Sequence, residues 1–251
     1  MMKAQRVNAI LEYVKEKESV SLDELVERFN VSKNTIRRDI QELVDNDKMV
    51  KVYGGVSISQ PLTVPYQDRK VKQFHEKQKL AKLAAEYIED GDIIFIDSGT
   101  TTVELLDFIK YKNVTIVTNN LDFTLDASAY PNLNIYSTGG VFERSTRSYV
   151  GTESAEVIQK YNFNKAFMAS TGISLDKGIT NSSPLETQVK AKVIRKSEQV
   201  FILVDHTKFD KYALTTYCDF DDIDYLITDQ EPPQAYITHS KQNQYEVVFP
   251  K

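Results

Sequence analysis

Ser21-Leu-Asp-Glu-Leu-Val-Glu-Arg-Phe-Asn-Val-Ser-Lys-Asn-Thr-Ile-Arg-Arg-Asp39 spells two short helices joined by a tight turn. Leu22, Leu25, Val26 and Phe29 fall at i, i+3, i+4 and i+7, a single apolar stripe. Ser21 is placed to cap that helix, and Glu24 three residues on to complete a capping box. Asn30-Val31 makes the turn and Ser32 caps the second helix, whose Ile36, Ile40 and Leu43 face inward. Asn34, Arg37, Arg38 and Gln41 then point away from the core. Arginine suits guanine and asparagine or glutamine suits adenine in bidentate base contacts. The pattern is that of a helix-turn-helix offering a probe to the DNA major groove. Ser32, Lys33 and Thr35, at the start of the probe, complete its candidate DNA-facing set.

Working outward, Val7, Ile10, Leu11 and Val14 supply the third helix that so small a domain needs. After the turn Asp45-Asn46-Asp47, Met49-Val-Lys-Val-Tyr-Gly-Gly-Val56 predicts a β-hairpin wing, with Gly54-Gly55 as the turn that tolerates positive φ. Tyr53, Gly54 and Gly55 join the DNA-binding candidates. The plain alternative is a three-helix bundle with solvated arginines. The ordered run of cap, stripe, turn, basic face and glycine wing argues against it.

Residues 6–56, with Phe29-Asn-Val-Ser-Lys-Asn-Thr-Ile-Arg-Arg-Asp-Ile40 and Tyr53-Gly-Gly55, resemble the helix-turn-helix signature of the DeoR family, bacterial repressors of sugar and nucleoside catabolism. The resemblance implies a winged helix-turn-helix attached to an α/β sensor domain that is itself similar to sugar-phosphate isomerases. The segments from Val20 to Arg38 and from Phe95 to Thr102 most resemble repressors of inositol catabolism.

The 251 residues allow two domains, and 41% hydrophobic with 27% charged residues is a globular composition. No apolar run is long enough for a signal or a bilayer span. The single Cys218 cannot form an internal disulfide, which suits a reducing cytoplasm. His75, His206 and His239 are scattered, so no metal site and no cofactor is expected. Net charge is −5, yet residues 1–58 hold ten basic and ten acidic side chains, and residues 32–38 carry Lys33, Arg37 and Arg38 without an acid. A head neutral on balance binds DNA weakly as one copy, which implies a homodimer or homotetramer presenting two heads.

Residues 1–58 are thus expected as the DNA-binding domain, 59–72, with Pro61, Pro65 and a basic 69–72 run, as linker, and 73–251 as the sensor. In the sensor, helices are predicted over 80–91, 101–109, 121–129 and 184–196. Strands are predicted over 93–97, 114–118, 133–137, 165–170, 200–205, 225–229 and 245–249. That alternation predicts a mostly parallel sheet. In such sheets ligands bind beyond the carboxyl ends of the strands. The exits are Asp97-Ser98-Gly99-Thr100-Thr101, Thr118-Asn119-Asn120, Thr138-Gly139-Gly140, Ser170-Thr171-Gly172 and Asp205-His206-Thr207-Lys208.

Each exit alone could be an ordinary cap or turn. Five polar exits on one edge outline a pocket for a small, hydroxylated anion. Asp97 and Asp205 would accept from hydroxyls, Lys208 would hold the anion, and Arg144 and Arg147 are further anion candidates. The family resemblance covers roughly residues 6–230. It implies that residues 97–101 form a phosphate loop and that Asp205 and Lys208 line the effector pocket. It also implies that a phosphorylated sugar or polyol catabolite acts as effector on operator DNA. His206 and Asp210 depart from the family pattern, which often has a small residue and a glycine there. The minor reading is a working isomerase tethered to DNA. Glu186, the nearest candidate base, reads instead as a residue that caps or decorates its helix.

Overall fold

The computed structural model describes residues 3–17, 19–46, 48–52, 55–58 and 66–250. These fall into two compact units, Met1–Val64 and Pro65–Lys251. In the first, α1 (Lys3–Lys17), β1 (Ser19–Ser21), α2 (Leu22–Phe29) and α3 (Lys33–Asp45) precede a hairpin of β2 (Met49–Val52) and β3 (Gly55–Ile58). Ile10, Val14, Leu25, Ile36, Ile40 and Leu43 form one buried cluster with Val20, Met49 and Val56. The apolar stripes therefore meet as their spacing requires.

Two details differ from expectation. Ser21 Oγ does accept from Glu24 N at 3.1 Å, but the Glu24 carboxylate accepts from Tyr13 Oη at 2.7 Å. The reciprocal half of the box is displaced because Ser21 pairs with Gly55 in a β1–β3 ladder. Gly55 is likewise no turn residue. It pairs with Val52 in the hairpin register, and a Cβ there would lie 2.3 Å from the Val20 carbonyl oxygen. Glycine is required because β1 passes against it. Tyr53 and Gly54 lie outside the described residues.

The second unit begins with α4 (Tyr66–Val71), so part of the stretch expected as linker is helical, with Tyr66 buried. Six residues are too few to show a helical period. Then follow α5 (Phe74–Ala85), β4 (Ile93–Ile96), a 3₁₀ turn (Thr102–Leu105), α6 (Leu106–Ile109), β5 (Val114–Thr118), α7 (Leu121–Ala127) and β6 (Leu133–Ser137). A short hairpin, β7 (Val141–Glu143) and β8 (Ser148–Val150), leads to α8 (Thr152–Ile158) and β9 (Phe163–Ala169). Next come β10 (Gly172–Ser174), β11 (Gly178–Asn181), α9 (Pro184–Ile194) and β12 (Ser197–Leu203). The chain closes with a 3₁₀ turn (His206–Lys208), β13 (Thr215–Cys218), β14 (Tyr225–Ile227), α10 (Gln234–Asn243) and β15 (Glu246–Val248).

Seven strands form one sheet in the order β15-β14-β12-β9-β4-β5-β6, and every pairing in it is parallel. Both faces are covered, as such sheets require. Phe95, Val200 and Ile202 pack with Val189, Val193 and Tyr236 on one side. Ile94, Ile96, Phe201 and Leu203 pack with Leu80, Leu106 and Phe123 on the other. The chain adds strands to one side of β4 and then crosses to the other with β9. The order therefore reverses between β4 and β9, where an open α/β sheet leaves a crevice at its strand ends. The small antiparallel sheet β10-β11-β13 was not expected from sequence, its strands being three or four residues long.

Candidate functional site

In the first unit the probe helix is anchored from beneath. The carboxylate of buried Asp39 accepts from Arg6 Nε at 2.6 Å and Nη2 at 3.3 Å, pinning α3 to α1. Ser32 Oγ accepts from Thr35 N at 3.2 Å, which caps the helix. Asn34, Arg37 and Arg38 are exposed on the outer face, as their spacing required. Lys33, also exposed, pairs with Asp23 at 2.6 Å. Gln41 stands in the same stripe, but its amide is committed to Asp45 and Lys51.

In the second unit the β4 and β9 exits are joined by a buried polar core. Asp97 Oδ2 accepts from Ala169 N at 2.9 Å and from Lys190 Nζ, which also donates to Ala169 O at 2.8 Å. Asp97 and Lys190 are both almost wholly buried. Lys190 was not anticipated: it sits on α9, in a run whose sequence looks solvated. Glu186, one turn earlier, is no surface decoration. Its carboxylate is buried and accepts from Ser98 Oγ at 2.8 Å, Ser148 Oγ at 3.2 Å and Asn181 Nδ2 at 3.0 Å.

The loop Ser98-Gly99-Thr100-Thr101 runs over this core. Ser98, Thr100 and Thr101 are buried. The backbone N–H groups of these four residues donate to no protein acceptor among the described residues. A Cβ on Gly99 would stand 2.3 Å from Ala169 Cβ, so the loop needs glycine to pass the β9 exit. The helix expected over 101–109 is instead a 3₁₀ turn followed by a single α turn, because Thr102 Oγ1 ties back to Asp97 O at 2.7 Å and Gly99 O at 2.9 Å. At the β5 exit, Asn120 Oδ1 caps α7 by accepting from Phe123 N at 3.1 Å. Asn119 donates through Nδ2 to Tyr149 O at 3.2 Å. Its buried Oδ1 accepts no hydrogen bond among the described residues.

Cations gather around Asp205. Lys208 rides on the 3₁₀ turn that Asp205 caps, Asp205 Oδ1 accepting from Thr207 N at 2.9 Å. Burial lowers the Lys208 pKa, against the nearby Asp205, and the charges of Arg69 and Lys72 lower it further. Lys77 on α5 is buried and donates to the Arg69 carbonyl. Its pKa is brought down to about 8, chiefly by burial, with Lys208 and Arg69 adding to the fall and Asp205 and Glu104 opposing it. Arg69 on α4 reaches Ser145 O at 3.5 Å, and burial lowers its pKa against the charge of Glu186. Arg69 and Lys77 were not among the residues expected here.

Other expected residues lie elsewhere in their bonding. Arg147 is paired through Nε with Asp122 at 2.7 Å, so its charge is already matched. Arg144 is exposed. Gly139 and Gly140 make the β6 exit with positive φ. Gly172 starts β10, with the Lys211 backbone 2.7 Å from where its Cβ would be. His206 is held by Asp229, through its N at 2.6 Å and Nδ1 at 2.8 Å. Asp210 takes the left-handed conformation that glycine serves elsewhere, with φ 54°. It is held there by Tyr236, whose hydroxyl donates to Asp210 Oδ1 at 3.0 Å.

A winged probe and a doubly covered parallel sheet with a polar, cationic switch edge are both matched by known domain families. Residues 6–61 match the DeoR-like helix-turn-helix domain, and residues 72–230 match the DeoR C terminal sensor domain. The chain belongs to the DeoR family. This DeoR-family transcriptional regulator is 44% identical over 245 residues to the HTH-type transcriptional regulator IolR of Bacillus subtilis (strain 168), covering 97% of this chain and 98% of that protein. It is 32% identical over 235 residues to the glycerol-3-phosphate regulon repressor of Escherichia coli (strain K12), covering 93% of each. Among solved structures, a ribose 5-phosphate isomerase from Methanocaldococcus jannaschii shares 17% identity over 55% of each chain, with a TM-score of 0.40. Among the described residues no helix is long and apolar enough to cross a membrane, and no group of three or more His, Cys, Asp or Glu side chains could hold a metal ion.

Proposed function

We propose that this DeoR-family repressor controls a polyol or sugar catabolic operon and is released from operator DNA by a phosphorylated catabolite held at the β4–β9 switch edge. What supports this is the cluster that Lys77, Lys208 and Arg69 form around Asp205, at the same switch edge as a loop whose backbone N–H groups find no protein acceptor among the described residues. A dianionic phosphate offsets the mutual repulsion of those cations, while a neutral sugar does not. Asn119 Oδ1 and the Asp205 carboxylate are the acceptors for effector hydroxyls, while Asp97, expected in that role from sequence, is sealed beneath the loop by Lys190 and Ala169 N. The strong likeness to IolR and the weaker one to the glycerol-3-phosphate repressor favour a polyol-derived effector.

The chemistry of the site supports sensing over turnover. Glu186 already accepts three hydrogen bonds and Lys190 is bound into the Asp97 pair, so neither is poised to move a proton. Two heads on two operator half-sites give the affinity that one neutral head lacks. Effector and operator then act against each other through their different affinities for two states of the dimer, and the coupling is reciprocal. A gel-shift titration on the DNA flanking the gene, with a panel of phosphorylated sugars and polyols, tests the reading. Release by one phosphorylated compound and not by its dephosphorylated form is expected. Retarded DNA indifferent to every compound would refute the effector site, and no retardation at low salt would refute the repressor.

A further inference from the structure

The outer stripe of α3 runs Asn34, Arg37 and Arg38, Gln41, Asp45, spaced three to four residues apart on one face. A glutamine that reads adenine needs both ends of its amide, the oxygen to accept and the nitrogen to donate. In Gln41 both ends are engaged. Nε2 donates to Asp45 Oδ1 at 2.6 Å, and Oε1 accepts from Lys51 Nζ on the wing strand β2. Each partner is charged, and hydrogen bonds to charged groups are about twice as strong as neutral ones. One N–H and one lone pair remain, but an amide turned away from these partners to meet a base would lose both bonds. It would also strip the Asp45 carboxylate of a hydrogen-bond donor on the face that meets DNA phosphates.

Resting on the DNA-binding reading above, we propose that Gln41 is a positioning residue that fastens the wing strand to the probe helix, and that base reading is confined to Asn34, Arg37 and Arg38. The probe is thus divided. Its first two turns carry the exposed readers, and its last turns carry a Lys51–Gln41–Asp45 chain that fixes where the wing stands. This matches the general geometry in which the N-terminal part of such a helix meets the base edges.

The test is selection from a randomised duplex pool by the full-length wild type, Gln41→Ala, Lys51→Ala and the double variant, followed by affinities on the selected duplex and its single-base variants. The same motif is expected from wild type and Gln41→Ala, with affinity lowered by a similar factor of about three to ten on every duplex. The double variant is expected to bind no more weakly than either single one by more than about twofold, because both remove the same contact. Loss of preference at one base pair by about tenfold in Gln41→Ala, as expected of a base reader, would overturn the assignment. So would wild-type binding by Gln41→Ala, or losses that multiply in the double variant. A wild type that selects no motif would refute the DNA-binding reading itself, and the assignment with it.

Discussion

Replacing Lys190 by methionine tests whether the Asp97–Lys190 pair is the keystone of the sensor crevice. Lys190 is 3% exposed and Asp97 0%. The substitution keeps an unbranched apolar stem, one atom shorter, but leaves the Asp97 carboxylate with Ala169 N, at 2.9 Å, as its remaining strong donor. It also removes the donor to Ala169 O. Breaking a buried pair by removing one partner costs about 3–5 kcal/mol, because the other charge stays buried without compensation. With a urea dependence of about 2 kcal/mol per molar, the unfolding midpoint should fall by roughly 1.5–2.5 M. Tyrosine fluorescence is a selective probe, since only Tyr13 and Tyr53 of the 14 tyrosines lie in the head and the chain has no tryptophan. The variant Asp97→Asn with Lys190→Met removes both charges and should recover at least half of the loss. A midpoint for Lys190→Met within about 0.5 M of wild type, or a double variant no better than the single one, would refute the reasoning.

Gly99→Ala forces a Cβ to within 2.3 Å of Ala169 Cβ and should cost about 1–3 kcal/mol by overpacking. Adding Ala169→Gly should restore thermal stability if that contact is the cause. Arg38→Ala should lower operator discrimination, and Lys208→Ala should leave DNA binding intact while raising the effector concentration needed for release; gel shifts on each read both outcomes. The pKa of Lys77, about 8 in the folded protein against a reference of 10.5, has a defined sign. The unfolded chain binds more protons between those values, so sensor stability should rise as pH climbs through that window and be lowest below it. Lys77→Met should flatten that rise in urea titrations at pH 7 to 10. A phosphate effector favours charged Lys77, so its binding near pH 8 should take up protons, read by calorimetry in buffers of different ionisation enthalpy.

The winged probe was legible in sequence because everything that makes it is local. Stripes at helical spacing, serines before Leu22 and Lys33, and exposed Asn34, Arg37 and Arg38 each declare themselves within a few residues. The parallel strands were legible for a related reason. Strands covered on both faces must be apolar throughout, so runs such as Ile93-Ile-Phe-Ile96 stand out, and the polar exits follow at once. What the sequence could not rank was which polar side chains meet. Glu186 and Lys190 lie in α9 among Thr187 and Lys192, with Arg195 just after it, and their local pattern is that of a solvated helix. Only the packing of α9 against the β4 and β9 exits buries them with Asp97 and Ser98. Arg69 and Lys77 join Lys208 across more than a hundred residues, and Gly55 owes its need for glycine to a strand more than thirty residues away. Periodicity records which face of an element is apolar. Pairing between distant polar groups leaves no period, so it is decided only when the chain has folded.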